Sequence, residues 1–316
     1  MMRALQPEIF NTLYRLVADR LPDPPAHPKG GCRRRVPDRV CFEGIFWRFV
    51  TGAAWETIEA QLRYQVSDTT LRARRTEWVD AGVFHQLMED CLATYHELIG
   101  IDMADVAIDG SAQLAPGGGP DTNNCPGSKG RKAMKWSIAV DACGIGLGGL
   151  ITSGSANDYP LLQPTLDEVC ARDWTAAIER LQLDRGYGYP SLPDKLTHHQ
   201  INDVIVTMRN KPNQGRVLLA GLNRRWVVER TNSWLTNFRQ LKINWDRTVE
   251  HRLAALQLGL AILMIYRIVD HLTANHQPRR GQGVVATAPD LGGCCGSWCA
   301  VWWVGPGAGV GAGGDP

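Results

Sequence analysis

Apolar residues recur at helical spacing over the first hundred positions and give way to short strand-like runs after Gly100. In "CFEGIFWRFVTGAAWETIEAQL", Ile45, Phe46, Phe49 and Val50 share one side of a helix, Gly52 breaks it, and a second helix follows. Ser67 or Asp68 suits an N-cap for a third helix beginning near Thr69. Leu71, Trp78 and Val79 would form its apolar side, and Arg72, Arg74 and Arg75 lie in its first two turns. Two helices and a capped third bearing arginines fit a helix-turn-helix unit, whose arginines would meet phosphates or base edges. A three-helix bundle with an exposed basic side fits the same pattern.

Beyond Gly100 the runs "VAIDGS", "KWSIAVDACG" and "GLGGLITSGS" read as three strands, the last two joined by a short glycine-containing turn. "DYPLLQPTLDEVCARD" is expected to be helical after its prolines. "RLQLDRG" is a fourth strand, "YPSLPDKLTHHQ" a helix and "INDVIVTMRN" a fifth strand. "NRRWVVERTNSWLTNFRQLK" and residues 250–272 are helices. This order predicts an α/β chain: a mixed five-stranded sheet flanked by helices, preceded by a small all-α unit. It is the strand order of the ribonuclease H-like fold. The divisions are an N-terminal segment and linker over 1–36, a helical DNA-binding domain over 37–100, a catalytic domain over 101–272, and a Gly/Cys/Trp-rich tail over 273–316 that shows no period and reads as disordered.

Hydrophobic residues make up 44% of the 316, enough for a core and against wholesale disorder. The net charge is +2, so a polyanionic partner has to be argued from distribution. From Arg209 to Arg252 there are ten Lys/Arg against three acids, which is either a nucleic-acid surface or a solvated helical face. Nine cysteines without a paired CxxC argue for reduced thiols and against structural zinc. The first twenty residues lack the apolar core of a signal peptide. The most apolar stretch, 253–266, contains Gln257 and is short for a membrane span, which points to a buried helix and a cytoplasmic protein with no membrane partner.

Three acids carry the candidate chemistry. Asp109 ends the first predicted strand, Asp184 ends the fourth, and Glu229 lies in the helix after the fifth. In this strand order the first and fourth strands are neighbours, so both aspartates emerge at one sheet end and a helix crossing that end brings Glu229 to them. Clustered carboxylates repel unless a cation compensates, and hard divalent ions supply that compensation. Each acid has a plain alternative: Asp109 and Asp184 as turn residues, Glu229 as a surface pair with Arg225. Asp141 is a rival at the wrong end of an antiparallel strand, and Asp102 and Asp105 are expected to be solvated.

The pieces "IDGS", "LDRGYGYP" and "RRWVVERTNSWLTNFRQL", in this order, resemble the DDE transposases of bacterial insertion sequences, in particular the insertion-sequence-five type group, over roughly residues 35–272. Arg225, Trp226, Glu229, Arg230, Trp234 and Arg239 match the helix motif. Where the related signature has Tyr and Lys, this chain has Leu222 and Thr236, leaving Arg239 or Lys242 to replace the lysine. The resemblance implies that Asp109, Asp184 and Glu229 hold two Mg²⁺ ions, for which Mn²⁺ substitutes. It implies cleavage at element ends and strand transfer into target DNA. Lys129, Arg131, Lys132 and Lys135, with Arg225, Arg230, Arg239 and Lys242, would hold the backbone, and Trp234 would meet displaced bases. Trp226 is expected to pack its helix onto the sheet. The partners implied are double-stranded DNA (terminal inverted repeats and target) and a second copy in a homodimer, at the bacterial nucleoid. A non-catalytic DNA-binding remnant and a stand-alone nuclease of the same fold are the alternatives.

Overall fold

The computed structural model describes residues 6–24, 35–172, 178–197, 199–201, 203–207 and 224–276. Of the Gly/Cys/Trp-rich tail expected from 273, residues 273–276 are helical and those from 277 onward lie outside the described residues, as do the Pro/Arg linker over 25–34 and Leu222.

Helix α1 (Pro7–Ala18) buries Ile9, Leu13 and Val17, one residue per turn on a single stripe. Helices α2 (Asp38–Thr51), α3 (Trp55–Gln61), α4 (Asp68–Asp80) and α5 (Val83–Leu98) follow. Gly52 ends α2 at φ +67°, and a Cβ there would fall 2.8 Å from the Arg239 Cβ, so both conformation and space demand glycine. Ser67 caps α4, its side chain accepting the Thr70 N–H.

The sheet contains β1 (Val106–Leu114), the two-residue β2 (Asn123–Asn124), β3 (Lys132–Val140), β4 (Gly146–Ser153), β5 (Arg180–Asp184) and β6 (Asp203–Thr207). Its order is β2-β3-β1-β5-β6, with β4 also on β3. The β1–β3 and β3–β4 pairs are antiparallel, and β1–β5 and β5–β6 are parallel. This is the ribonuclease H-like arrangement with one minimal strand added. Helix α6 (Asp158–Cys170) follows β4, α7 (Leu192–Thr197) follows β5, and α8 (Trp226–Leu235), α9 (Arg239–Lys242) and α10 (Val249–His276) complete the described chain.

Three local expectations are corrected. Asp109 does not end β1: the strand runs five residues further, because β1 and β3 continue as an antiparallel arm after β5 has left β1. Helix α6 begins before its prolines; Pro160 falls in the first turn, where a missing N–H costs nothing, and Pro164 is accommodated inside. Asp105 is 8% exposed, with Gln182 and Arg180 donating to it.

Helix α10 is 28 residues long, and its Val249–Ala274 stretch is apolar and long enough to cross a membrane. Here it is a core helix: Leu256, Leu260, Ile262 and Met264 are buried, and it packs on α5 and β4. Each such side chain contributes roughly 1.5–3 kcal/mol of burial, which accounts for its apolar character on every face. One hydrophobic core joins the N-terminal helices to the sheet and α10. Cys41, Cys91, Cys125, Cys143 and Cys170 are in no disulfide; Cys32, Cys294, Cys295 and Cys299 lie outside the described residues.

Candidate active site

Parallel pairing sets Val106 against Leu181 and Ala107 against Gln182, so Asp109 and Asp184 stand at the same level on neighbouring strands. Beyond Ala107 the two strands part, opening a crevice at the carboxyl end of the parallel half of the sheet. Helix α8 packs across β1 and β3 at this end, and Trp136 Nε1 fixes it by donating to Asn232 Oδ1 at 2.8 Å. Asn232 Nδ2 then donates to Asp109 Oδ2 at 3.1 Å.

All three acids converge on one guanidinium. Arg225 Nη1 lies 3.9 Å from Asp109 Oδ1 and 3.8 Å from Asp184 Oδ2, and Arg225 Nη2 contacts Glu229 Oε1. The helix pair Arg225–Glu229 therefore exists, but the same arginine also reaches both strand acids. Arg225 is not a free backbone clamp; it supplies the positive charge that permits three carboxylates to gather. Asp109 is mostly covered, whereas Asp184 and Glu229 are about half exposed, so the group opens to solvent on one side. Donors that are all carboxylate oxygen suit hard divalent ions such as Mg²⁺ or Mn²⁺.

A fourth carboxylate, missed in the sequence, borders this group. Asp158, the first residue of α6, receives Lys135 Nζ on Oδ1 at 2.9 Å. A Cβ on Gly110 would lie 2.2 Å from Asp158 Oδ1, so the glycine after Asp109 makes room for it. Lys135 is thereby taken out of the DNA-contacting set: it is 12% exposed and also donates to the Ala156 carbonyl.

Burial pushes Asp109 up to about 6, opposed by Arg225 and reinforced by Asp158, Asp184 and Glu229. An acid raised on folding binds its proton more tightly in the folded chain, so stability falls as pH rises from about 4 to about 6. In the metal-free protein, Asp109→Asn should therefore raise the urea-unfolding free energy at pH 7 by about 3 kcal/mol and have little effect at pH 4. An equal effect at both pH values would refute the shift. Asp141, the demoted rival, is fully buried at the opposite sheet end. It accepts N–H groups from Asp102, Cys143 and Ile145, a turn-closing role.

The basic residues divide sharply. Lys129, Arg131, Lys132, Arg239 and Lys242 are exposed. Arg230 donates to the Cys143 carbonyl and is stacked between Trp226 and Trp234, at 4.7 and 4.6 Å from the ring centroids. Trp226 does not pack onto the sheet; it is 44% exposed on the outer face of α8. On α4, Arg72 is exposed, but Arg74 and Arg75 are buried in ion pairs with Asp38 and Asp246. Their positions explain this: Leu71, Arg74, Arg75 and Trp78 form one helical stripe, and that stripe is the inward one.

Away from these acids, His85, Glu89 and Glu168 also lie within metal-binding reach of one another. Arg172 donates to both Glu89 oxygens, so a guanidinium already compensates the charge there.

Residues 101–265 match the family model described as "Transposase DDE domain", and residues 10–88 match "Putative transposase of IS4/5 family". The chain is 31% identical over 152 residues to the "Putative transposase for insertion sequence element IS402" of Burkholderia cepacia, covering 46% of this chain and 69% of that one. It is also 31% identical over 122 residues to an uncharacterized 16.2 kDa protein of insertion element IS402 from the same organism, covering 38% and 82%. Two solved structures are similar in part. The piggyBac transposase synaptic complex with hairpin DNA is 13% identical with TM-score 0.43, covering 87% of this chain and 75% of that one. The Mos1 transposase paired-end complex is 12% identical with TM-score 0.26, covering 78% and 82%. The DDE domain model spans over half of the sequence and includes Asp109, Asp184 and Glu229, and on that ground the chain belongs to the DDE transposases of insertion sequences.

Proposed function

We propose that the protein cuts DNA at the ends of its own element and joins the freed ends to target DNA, with Asp109, Asp184 and Glu229 as the metal-holding residues. The observation that carries this reading is the convergence of the three acids on Arg225 at a crevice open to solvent. When bound, two Mg²⁺ ions would activate an attacking oxygen and stabilise the leaving oxygen at a phosphodiester. Asp109 anchors the site from a rigid strand, and Asn232 fixes its orientation. Asp184 and Glu229 reach toward solvent, where a DNA phosphate can approach. Arg225, once its carboxylates have another cation to face, is placed to turn toward that phosphate. Lys129, Arg131 and Lys132 on the β2–β3 arm, with Arg239 and Lys242 on α9, offer exposed charge for the DNA backbone. The helices before Gly100 would read the terminal repeats through α4, with Arg72 as its exposed arginine. Bringing two ends together calls for a homodimer on DNA.

A strand-transfer assay with pre-cut ends tests this. Joining of ends to target DNA in the presence of Mg²⁺ is the expected result. Cutting without joining would make the protein a stand-alone nuclease, and gel shifts without either reaction a DNA-binding remnant.

A further inference from the structure

A cleft of about 650 Å³ lies between α3, α4, the Pro116–Gly117 loop and the segment joining α9 to α10; none of the three acids lines it. Arg48, Arg72, Arg75 and Arg247 face it against a single carboxylate, Asp246, and Asp246 is held by Arg75 through both oxygens at 2.6 and 2.7 Å. Arg72 is held by Asp68 and Glu56, each at 3.2 Å, which leaves Arg48 and Arg247 without a carboxylate among the described residues. Arg48 is 7% exposed, and its Nε has no hydrogen-bond partner. Burial pulls its pKa down to about 10, the mark of a cation short of negative charge.

The second feature is Trp245, which lines the cleft with 56% of its surface exposed. It is not on a loose loop. The preceding Asn244 is fully buried and its N–H donates to the Leu114 carbonyl at 2.8 Å; the following Asp246 is 8% exposed and clamped by Arg75 and Gln240. A large indole held out from an anchored segment, beside the carboxylate-free guanidinium groups of Arg48 and Arg247, matches what one nucleotide presents: a flat aromatic base and a phosphate.

We propose that this cleft binds one nucleotide of a DNA strand, its base stacked on Trp245 and its phosphate facing Arg48 and Arg247. The inference rests on the DNA-processing reading above and adds a second anchoring point to it. The two points are joined by the stretch of β1 from Asp109 to Leu114, whose carbonyl accepts the N–H of Asn244 beside Trp245. Five residues at about 3.3 Å each span roughly 17 Å, which along a DNA strand at about 3.4 Å per nucleotide is some five nucleotides. The cleft would therefore grip the strand about five nucleotides from the phosphodiester at the acids, and set the distance at which the cut falls.

Fluorescence anisotropy with a labelled, 5′-phosphorylated hexathymidylate tests this on the full chain. Wild type should bind with a salt-dependent affinity. Trp245→Ala should weaken binding about tenfold, as loss of one stacked base predicts. Arg247→Gln should lower the salt slope by about one. Both residues are exposed, so these variants report on the cleft even if the buried Arg48→Met fails to fold. Unchanged binding by Trp245→Ala would overturn the assignment, as would displacement of the oligonucleotide by inorganic phosphate as readily as by unlabelled hexathymidylate. Should wild type bind neither this strand nor element ends, the DNA-processing reading itself falls; binding of ends that Trp245→Ala leaves intact removes only the cleft.

Discussion

Asp184→Ala should reduce Mg²⁺-dependent cleavage of element-end DNA by at least about a thousandfold and leave the affinity for that DNA unchanged or slightly raised. The size follows from what is lost: a charged oxygen ligand at a site where bound ions are worth several kcal/mol of transition-state stabilisation, each 1.36 kcal/mol being tenfold in rate. Affinity should hold because the change removes a negative charge from the place where a phosphate must approach. Stability should hold as well. Asp184 is the last residue of β5 and its side chain is 46% exposed, so alanine empties no core volume. The substitution forfeits two contacts: the Arg185 N–H donated to Asp184 Oδ1 at 2.6 Å, which costs about 1 kcal/mol as a lost cap, and the half-exposed approach to Arg225 at 3.8 Å, worth less. Single-turnover cleavage and anisotropy on the same preparation separate the two effects. Cleavage within tenfold of wild type would remove Asp184 from the site, and with it the meaning given to the level placement of Asp109 and Asp184.

That level placement is legible in the strand order alone, because neighbouring parallel strands bring their carboxyl ends to one edge whatever the side chains are. The same logic placed Asp141 at the opposite end. What the linear pattern hid was partnership over long separations. Asp105 looks solvated beside Asp102, but Gln182, seventy-seven positions on, donates to it inside the fold. Asp158 falls before the helix expected from the sequence, and its part in the site shows only where α6, starting at Asp158, sets it against Gly110. The arginines of α4 were the clearest loss, since period alone put Arg74 and Arg75 on the stripe of Leu71 and Trp78. Two arginines on an apolar stripe were read as a DNA surface rather than as buried ion-pair partners. Trp226 failed in the other direction: an indole in a helix was assigned to the sheet, whereas Arg230 stacks on its face and leaves it at the surface.

Asp246→Ala should destabilise the protein by about 3–5 kcal/mol, the largest loss of stability expected from a polar substitution in this chain. The carboxylate is the hub of a buried network. Arg75 Nη1 and Nη2 donate to its two oxygens, and Gln240 Nε2 donates to Oδ2 at 2.7 Å. Its own carbonyl accepts from Arg252, which is fully buried and also donates to the carbonyl of Gly118. Burial alone would raise Asp246, yet Arg75 and Gln240 hold it below the usual carboxylate range. An acid depressed on folding contributes stability above its unfolded pKa and loses it as pH falls through the folded one, so the deficit of the variant should be full at pH 7 and shrink below about pH 4. Alanine leaves the Arg75 guanidinium 8% exposed with no counter-charge, and places it beside the already strained cation of Arg48. Because Arg75 comes from α4 and Asp246 from the segment before α10, the loss should be felt where the N-terminal helices meet the catalytic half. Replacing both partners with apolar residues, as in Arg75→Met with Asp246→Leu, should cost less than Asp246→Ala alone, since no buried charge is then stranded. Urea denaturation of the two variants measures this directly, and a double variant less stable than the single one would show that the pair contributes net stability rather than merely avoiding a buried, unpaired charge.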